Sequence, residues 1–370
     1  MEFTIERSLF TDAMKSVQGA VERRNTMPIL SNVYLSAEKN QVTLITTDMD
    51  VGIRVSLAAD VKKTGTFTLG AKKLLELVQQ PAGDKVTVKL QDNNRCQITV
   101  GRFQPTMYGL PGEDFPPLAP IDKGQFFTFD SQMLLDMIDK TVFAASSDES
   151  RIALNGVYVE RSPKNDGMLR MVATDGHRLT LVEREIESAK EAIGQSGVII
   201  HRKSVQELRK LCERAPKVEL SIQKSHVVAK ADGTVLVMRL VDAEFPRYAN
   251  VIPQKSDRIM KVNRSDFLGA LQRASILADE RTHLVKLKLD KGELTTECSN
   301  QSQGETTEKL SCDYNSAPLL VGFNVLYLIA AIDHTSGDEI EIAVIDEINP
   351  ATISGADDTN YLNVIMPMRI

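Results

Sequence analysis

A pattern that occurs three times along the chain limits the possible folds more than any other feature of the 370-residue sequence. Each copy opens with a short alternating strand, at residues 3–8, 127–131 and 260–265, and continues into an amphipathic segment. Apolar residues in that segment recur at steps of three and four, which places them on one face of a helix. They are Phe10, Ala13, Met14 and Val17 in the first copy, Leu134, Met137 and Ile138 in the second, and Phe267, Ala270 and Leu271 in the third.

A second strand and helix follow in every copy. The strands end near Leu69, Ile200 and Val321, so the copies recur at similar spacing. The apolar residues predicted on the helices are Leu74, Leu77 and Val78, then Val205, Leu208 and Leu211, then Leu326, Ile329 and Ala330. Hairpin turns, such as the one at residues 232–233, separate the remaining strands. The sequence therefore predicts an α+β fold of three tandem copies, each made of two strand-helix-strands units.

The joints between the copies are rich in proline, which stiffens a linker and interrupts a sheet. Residues 113–117 close the first copy and residues 243–246 close the second. We therefore expect three domains, at residues 1–122, 123–253 and 254–370. An ancient duplication without any assembly explains the repeat as well at this point.

Composition restricts the class of protein. The four cysteines are scattered without a CxxC pair, and no apolar run approaches the roughly 20 residues that span a bilayer. We expect reduced thiols and a cytoplasmic protein without a membrane partner. The formal net charge is −6, so any binding to DNA requires basic residues gathered on one face.

An active site is hard to find in this sequence. The five histidines have no metal-binding spacing, and no nucleotide-binding loop is present. Asp175 with His177 suggests a metal or acid–base pair, but a strand that ends in an Asp-Gly turn explains the same residues equally well. We expect no catalysis, no metal and no cofactor. A metal-dependent nuclease using Asp48, Asp50 and Asp175 stays open, as does a peptide-binding scaffold that never encloses DNA.

Several motifs carry a resemblance that covers the whole chain. They lie at residues 3–7, 28–30, 154–156, 172–179, 322–325 and 364–370. In them the sequence closely resembles the bacterial DNA polymerase III beta subunit, the sliding clamp family. The resemblance implies a non-catalytic processivity factor whose head-to-tail homodimer forms a six-module ring around double-stranded DNA, without sequence specificity. It implies as partners the catalytic subunit of the replicative polymerase, an ATP-dependent clamp loader, other polymerases and repair proteins.

Helix geometry agrees with a dimeric ring. Helices about 10 Å thick and about 10 Å apart leave an opening of roughly 28 Å for two chains, against a duplex on the order of 20 Å wide. Basic residues on the predicted bore helices would contact phosphates without reading sequence. The predicted DNA-binding residues are Arg24, which the resemblance makes the best single contact, and Lys72, Lys73, Lys140, Arg202 and Lys203.

The resemblance also implies a groove that binds short extended peptides. Its predicted residues are Leu154, Thr174, Gly176, His177, Arg178, Leu179, Pro246, Val251, Asn324, Tyr327, Val364, Met366, Pro367, Met368 and Arg369. Pliable methionine side chains suit a pocket that accepts several partners. By position, the implied dimer interface joins Arg102 and Met107 to Ile276, Leu277, Glu305 and Glu308. A terminal strand at residues 366–368, and ordinary core at Ile276 and Leu277, are the alternatives.

Overall fold

The computed structural model describes residues 1–21, 27–80, 83–121, 124–165, 167–186, 189–192, 194, 196–253, 256 and 258–370. The chain forms two compact units. The first unit contains Met1–Gln132 and Gln206–Leu240, and the second contains Met133–Val205 and Val241–Ile370.

The helices and strands of the described residues have the following bounds. The α-helices are α1 (Arg7–Val17), α2 (Ala71–Gln79), α3 (Ser131–Asp139), α4 (Ala189–Ala192), α5 (Arg202–Cys212), α6 (Arg264–Ser275) and α7 (Val325–Asp333). Single 3-10 turns lie at Gln18–Ala20, Pro28–Ser31, Gly112–Asp114, Val142–Ala144, Ile152–Leu154 and Tyr248–Asn250. The strands are β1 (Glu2–Glu6), β2 (Asn32–Glu38), β3 (Gln41–Thr47), β4 (Val51–Ala58), β5 (Asp60–Lys63), β6 (Gly65–Gly70), β7 (Lys85–Leu90), β8 (Arg95–Val100), β9 (Thr106–Pro111), β10 (Phe127–Asp130), β11 (Gly156–Arg161), β12 (Met168–Thr174), β13 (Arg178–Glu185), β14 (Val198–His201), β15 (Lys217–Ile222), β16 (His226–Ala231), β17 (Thr234–Arg239), β18 (Ile259–Asn263), β19 (Leu284–Asp290), β20 (Glu293–Asn300), β21 (Gly304–Ser311), β22 (Leu319–Asn324), β23 (Glu339–Ala343), β24 (Ala351–Gly355) and β25 (Asp358–Ile365).

The first unit is built on one antiparallel sheet. Its order is β10-β15-β16-β17-β4-β3-β2-β6-β9-β8-β7-β1-β5. Helices α1 and α2 pack on it and on each other, and they bury Phe10, Met14 and Leu74 completely. Each large apolar side chain removed from water stabilises the fold by about 1.5–3 kcal/mol. The predicted turn at residues 232–233 is present, with positive φ at both residues.

The second unit contains two antiparallel sheets, with the orders β14-β11-β12-β13-β25-β24-β23-β18 and β21-β20-β19-β22. Pairing between β13 and β25 sets Arg178 opposite Ile365 and Leu179 opposite Val364. The backbone N–H of Met368 donates to the carbonyl of Gly322 at 2.8 Å. These pairings bring the motif at residues 172–179 next to the end of the chain.

The predicted helix faces are correct in most copies. All the apolar residues predicted for α1, α3, α5 and α6 are buried. In α2, Leu74 and Val78 are fully buried and Leu77 is half-buried.

The predicted face of α7 is wrong. Leu326 is 45% exposed, and the helix buries Val325, Leu328, Ala331 and Ile332 instead. Almost every residue of this helix is apolar, so spacing alone does not identify the face that meets the core. Asn324 caps the helix by accepting the backbone N–H groups of Leu326 and Tyr327.

None of the helices in the described ranges is long and apolar enough to cross a membrane.

Candidate functional site

The motif at residues 172–179 forms the tight turn between β12 and β13. Asp175 Oδ1 accepts the backbone N–H groups of His177 at 2.9 Å and Arg178 at 3.1 Å. Gly176 has a φ of +90°, a left-handed conformation that side chains disfavour. The hydroxyl of Thr174 donates to the Arg178 carbonyl at 2.6 Å. Asp175 therefore acts as a turn cap, and the neighbouring side chains are left to form the site.

Arg178 lies at the centre of an aromatic cluster. Its Nε donates to Asp175 Oδ2 at 3.1 Å, and its Nη2 donates to the Phe143 carbonyl at 2.7 Å. The guanidinium carbon lies 5.3 Å from the ring centroid of Phe143 and 4.5 Å from that of Tyr327, within the range of cation–π attraction. The His177 ring stacks on Tyr327 with centroids 6.5 Å apart. Burial raises the pKa of the Tyr327 hydroxyl, so this group stays a neutral hydrogen-bond donor.

A mostly apolar cavity of about 130 Å³ opens beside this cluster, entirely within the second unit. The residues that line it are Leu154, Thr174, Gly176, His177, Arg178, Leu179, Pro246, Tyr248, Val251, Val364 and Met366. We call this cavity the docking pocket. The backbone N–H of Met366 donates to the His177 carbonyl at 2.9 Å, which ties the chain end to the hairpin. A small apolar pocket with a few fixed polar groups suits one or two side chains of an extended segment.

The structure brings most of the predicted groove residues together. Tyr327 joins them through Arg178 and His177, whereas Asn324 acts as the cap of α7. Beyond Met366, the half-buried Pro367 and Met368 and the exposed Arg369 do not line the docking pocket.

Tyr248 lines the docking pocket but was not predicted. A signal was available, because an aromatic residue follows Pro246 in a joint whose other residues are mostly polar or small.

Comparison with known proteins decides what kind of protein carries this pocket. Family models of the DNA polymerase III beta subunit match in succession: the N-terminal domain at residues 1–119, the central domain at 128–247 and the C-terminal domain at 249–369. The beta sliding clamp of Caulobacter vibrioides is 34% identical over 374 residues, and the match covers 100% of both chains. This chain belongs to the beta sliding clamp family.

Solved structures of beta sliding clamps agree with this membership. Caulobacter crescentus pol III beta is 34% identical with a TM-score of 0.95. The Bartonella birtlesii DnaN sliding clamp, solved bound to griselimycin, is 35% identical with a TM-score of 0.94. Both matches cover 100% of each chain. As a beta clamp, the chain is a non-catalytic processivity subunit of DNA polymerase III, which excludes the nuclease and the scaffold that never encloses DNA.

The basic residues predicted to bind DNA in the clamp differ in their exposure. Lys72 and Lys73 are exposed on α2, and Lys73 pairs with Glu76 at 2.7 Å. Arg202 and Lys203 are half-buried at the start of α5. Arg24 lies outside the described residues.

Lys140 is a correction to the predicted DNA-binding set. Its ammonium group lies 2.8 Å from Asp136 and 2.6 Å from Asp358, and only 8% of its side chain is exposed. Burial of the long side chain between two carboxylates removes it from phosphates in solvent.

The predicted interface residues of the clamp lie at exposed edges. Arg102 is exposed beside β9, and Met107 is half-buried within that strand. Ile276 is 73% exposed and Leu277 is half-buried, so the interpretation of Ile276 as ordinary core is wrong. Glu305 is exposed on β21, the edge strand of its sheet in the part of the chain that the structure describes.

Glu308 pairs with Arg273 at 2.6 Å. Tyr108 on β9 is 74% exposed and was missed.

The carboxylates of the nuclease hypothesis have structural roles in the clamp. Asp48 Oδ1 accepts the N–H groups of Asp50 at 3.0 Å and Val51 at 2.7 Å. Across the described ranges, no three His, Cys, Asp or Glu side chains are arranged to hold a metal ion. Burial raises the pKa of the Cys298 thiol to about 11, which makes it a poor nucleophile.

Proposed function

We propose that the docking pocket tethers the catalytic subunit of the replicative polymerase to this clamp by binding a short extended segment of that subunit. The observation that carries the proposal is the preformed apolar cavity beside Arg178 in a chain without catalytic function. A ready-made pocket lowers the ordering cost of binding a flexible peptide. Arg178 and the backbone of the β12–β13 turn supply the polar contacts that orient it.

The same pocket would serve several partners in turn. We include the ATP-dependent clamp loader, other polymerases and repair proteins, because Met366 on the rim offers an adaptable and polarisable surface. Each partner would need only a short matching segment, so competition for one site would decide which of them works on the DNA.

A closed ring would be formed by two copies arranged head to tail. We propose that Arg102 and Met107 of one copy meet Ile276, Leu277, Glu305 and Glu308 of the other. The large exposed fractions of Ile276 and Tyr108, together with the edge strand β21, support this pairing. The domain boundaries near residues 122 and 253 belong to the same proposal, and the succession of the three family models supports them.

Positive side chains would keep the ring close to the duplex without fixing it to a sequence. We propose Arg24, Lys72, Lys73, Arg202 and Lys203 for this role and leave out the buried Lys140. Phosphate contacts of this kind carry no sequence information and weaken with salt. Retention would then depend on enclosure: clamps loaded on closed circular DNA should stay bound through a gel-filtration column, and linearising the circle should release them. Equal retention on both forms would contradict the ring.

The docking pocket is tested with a fluorescein-labelled peptide from the clamp-binding segment of the polymerase catalytic subunit, called here the polymerase peptide. Deletion of residues 366–370 should abolish its binding in fluorescence anisotropy, because Met366 forms part of the pocket. Light scattering should still report a dimer. Deletion of the exposed Ile370 alone is the matched control. Normal peptide binding by the longer deletion would contradict the assignment.

A further inference from the structure

A buried charged cluster lies directly behind the docking pocket. Arg170 on β12 donates from Nε to Glu183 Oε1 at 2.9 Å and from Nη2 to the same oxygen at 2.7 Å. Its Nη1 donates to the Tyr248 hydroxyl at 2.7 Å and lies 3.7 Å from Glu160. The Tyr248 hydroxyl in turn donates to Glu160. One arginine, with only 8% of its side chain exposed, therefore joins two carboxylates and a tyrosine.

Tyr248 connects this cluster to the pocket wall. Its side chain lines the docking pocket, and its 3-10 turn carries Pro246 on one side and Val251 on the other. The Tyr248 N–H donates to the Pro246 carbonyl at 2.7 Å, and its carbonyl accepts from Val251 at 3.0 Å. The position of the Tyr248 side chain therefore determines where both of these wall residues lie.

The segment that carries Tyr248 has few other constraints. Between Val241 and Pro253 the chain contributes no strand to either sheet of the second unit, among the residues described. The Phe245 ring, which stacks on Tyr158 with centroids 4.8 Å apart, is the main apolar anchor. Side-chain contacts must therefore hold this wall in place.

Open space on the far side of Tyr248 makes the polar anchor important. A cleft of about 830 Å³ lies there, and Tyr248 lines it together with Leu181, Ile252 and Leu362. The tyrosine therefore has room to swing away from the docking pocket. Its hydrogen bonds to Arg170 and Glu160 oppose that movement.

We propose that Arg170, together with Glu160 and Glu183, is a positioning residue for the docking pocket and acts by fixing Tyr248 as its wall. The inference rests on the proposed function of that pocket. Removal of the guanidinium would leave two buried carboxylates without their cation, and their repulsion would displace the Tyr248 hydroxyl. A pocket whose wall must be ordered again on binding holds its peptide more weakly.

Arg170→Met is the first test, with the polymerase peptide as the probe. Because hydrogen bonds to charged groups are lost, we expect the Kd to rise about tenfold. The matched control is Arg184→Met on β13. Arg184 also bonds to two carboxylates, with Nη2 at 2.6 Å from Asp136 and 2.7 Å from Asp358, but strand alternation turns it to the other face of the sheet. This control should lose thermal stability and keep its affinity within about twofold.

A double-mutant cycle separates positioning from a general loss of structure. Tyr248→Phe keeps the ring and removes the hydroxyl that Arg170 holds, so it should weaken the peptide to a similar extent. In that background Arg170→Met should cause no further loss of affinity, because the two changes break the same connection. Additive losses would mean that Arg170 acts on stability alone and would overturn the proposal.

Glu160→Gln is the milder variant in case Arg170→Met does not fold. It leaves the bonds between Arg170 and Glu183 intact, and we expect the Kd to rise about threefold. Unchanged affinity in this variant and in Tyr248→Phe would refute the positioning role while the docking pocket stands. Failure of the unaltered chain to bind the polymerase peptide would instead refute the proposed function.

Discussion

Two turns at equivalent places in the repeat, one in each compact unit, share their backbone chemistry and differ in what they present. In the first unit the turn joins β3 to β4 at residues 47–51, and in the second it joins β12 to β13 at residues 174–178. Asp48 and Asp175 each accept the backbone N–H groups two and three residues ahead. The same carboxylate cap therefore builds both turns.

The threonines of the two turns repeat this correspondence. The hydroxyl of Thr47 donates to the carbonyl four residues ahead at 2.9 Å, and that of Thr174 does so at 2.6 Å. Each hydroxyl also accepts an N–H two residues ahead, at 3.0 Å and 3.1 Å respectively. Two residue types thus specify the turn wherever the repeat uses it.

The next three residues make one turn part of a site and leave the other without one. Residues 49–51 are Met, Asp and Val, whereas residues 176–178 are Gly, His and Arg. Only the second set combines close backbone approach with an arginine between two aromatic rings. The comparison teaches that the repeat preserves a scaffold and that docking chemistry arises from substitutions on it.

The largest expected effect comes from Arg178→Ala. Loss of the guanidinium removes the group that joins Asp175, Phe143 and Tyr327, so the Kd for the polymerase peptide should rise about 100-fold. Fluorescence anisotropy measures it. The control is Asp50→Ala in the first unit, which should leave the affinity unchanged. A comparable loss in both variants would break the distinction between the turns.

The shared caps predict a second, smaller effect. Asp175→Ala and Asp48→Ala should each lower the free energy of unfolding by about 1–2 kcal/mol, because two backbone N–H groups lose their acceptor. Chemical denaturation measures this change. Only Asp175→Ala should also weaken the polymerase peptide, about fivefold, since Arg178 loses its partner. A stability loss confined to one variant would refute the common cap.

The smallest effect concerns the residue with positive φ. Gly176→Ala should lower the free energy of unfolding by about 1 kcal/mol, because its φ of +90° disfavours a side chain. Met49 has a φ of +78° and is 54% exposed. Met49→Gly should therefore raise the free energy of unfolding by about 0.5 kcal/mol. Calorimetric midpoints that shift in the same direction would contradict this reading of the two turns.

Local patterns in the sequence predicted much of this molecule correctly. Steps of three and four identified the buried face of α1, α3, α5 and α6, because a mixed apolar and polar helix has only one face to bury. The same reasoning failed for α7, which is apolar on nearly all sides. There Tyr327 faces the docking site while Leu328 enters the core.

Site residues followed the same division. Motifs identified the β12–β13 hairpin and Met366, which adjoin because β13 pairs with β25. Lys140 was predicted to contact DNA because a basic residue after a helix usually lies in solvent. Its partner Asp358 is 218 residues away in the sequence, and no local pattern indicates that contact.

The sequence by itself determined the threefold repeat, the kinds of elements, the capped turns and the motifs of the clamp family. Each of these depends on residues a few places apart, whose interactions recur wherever the same spacing occurs. Only the tertiary structure decided that Lys140 is buried, which side of α7 enters the core, and that Tyr248 connects a charged cluster to the docking pocket. Those outcomes depend on contacts between distant segments, and their energies exist only once the sheets of the second unit have formed.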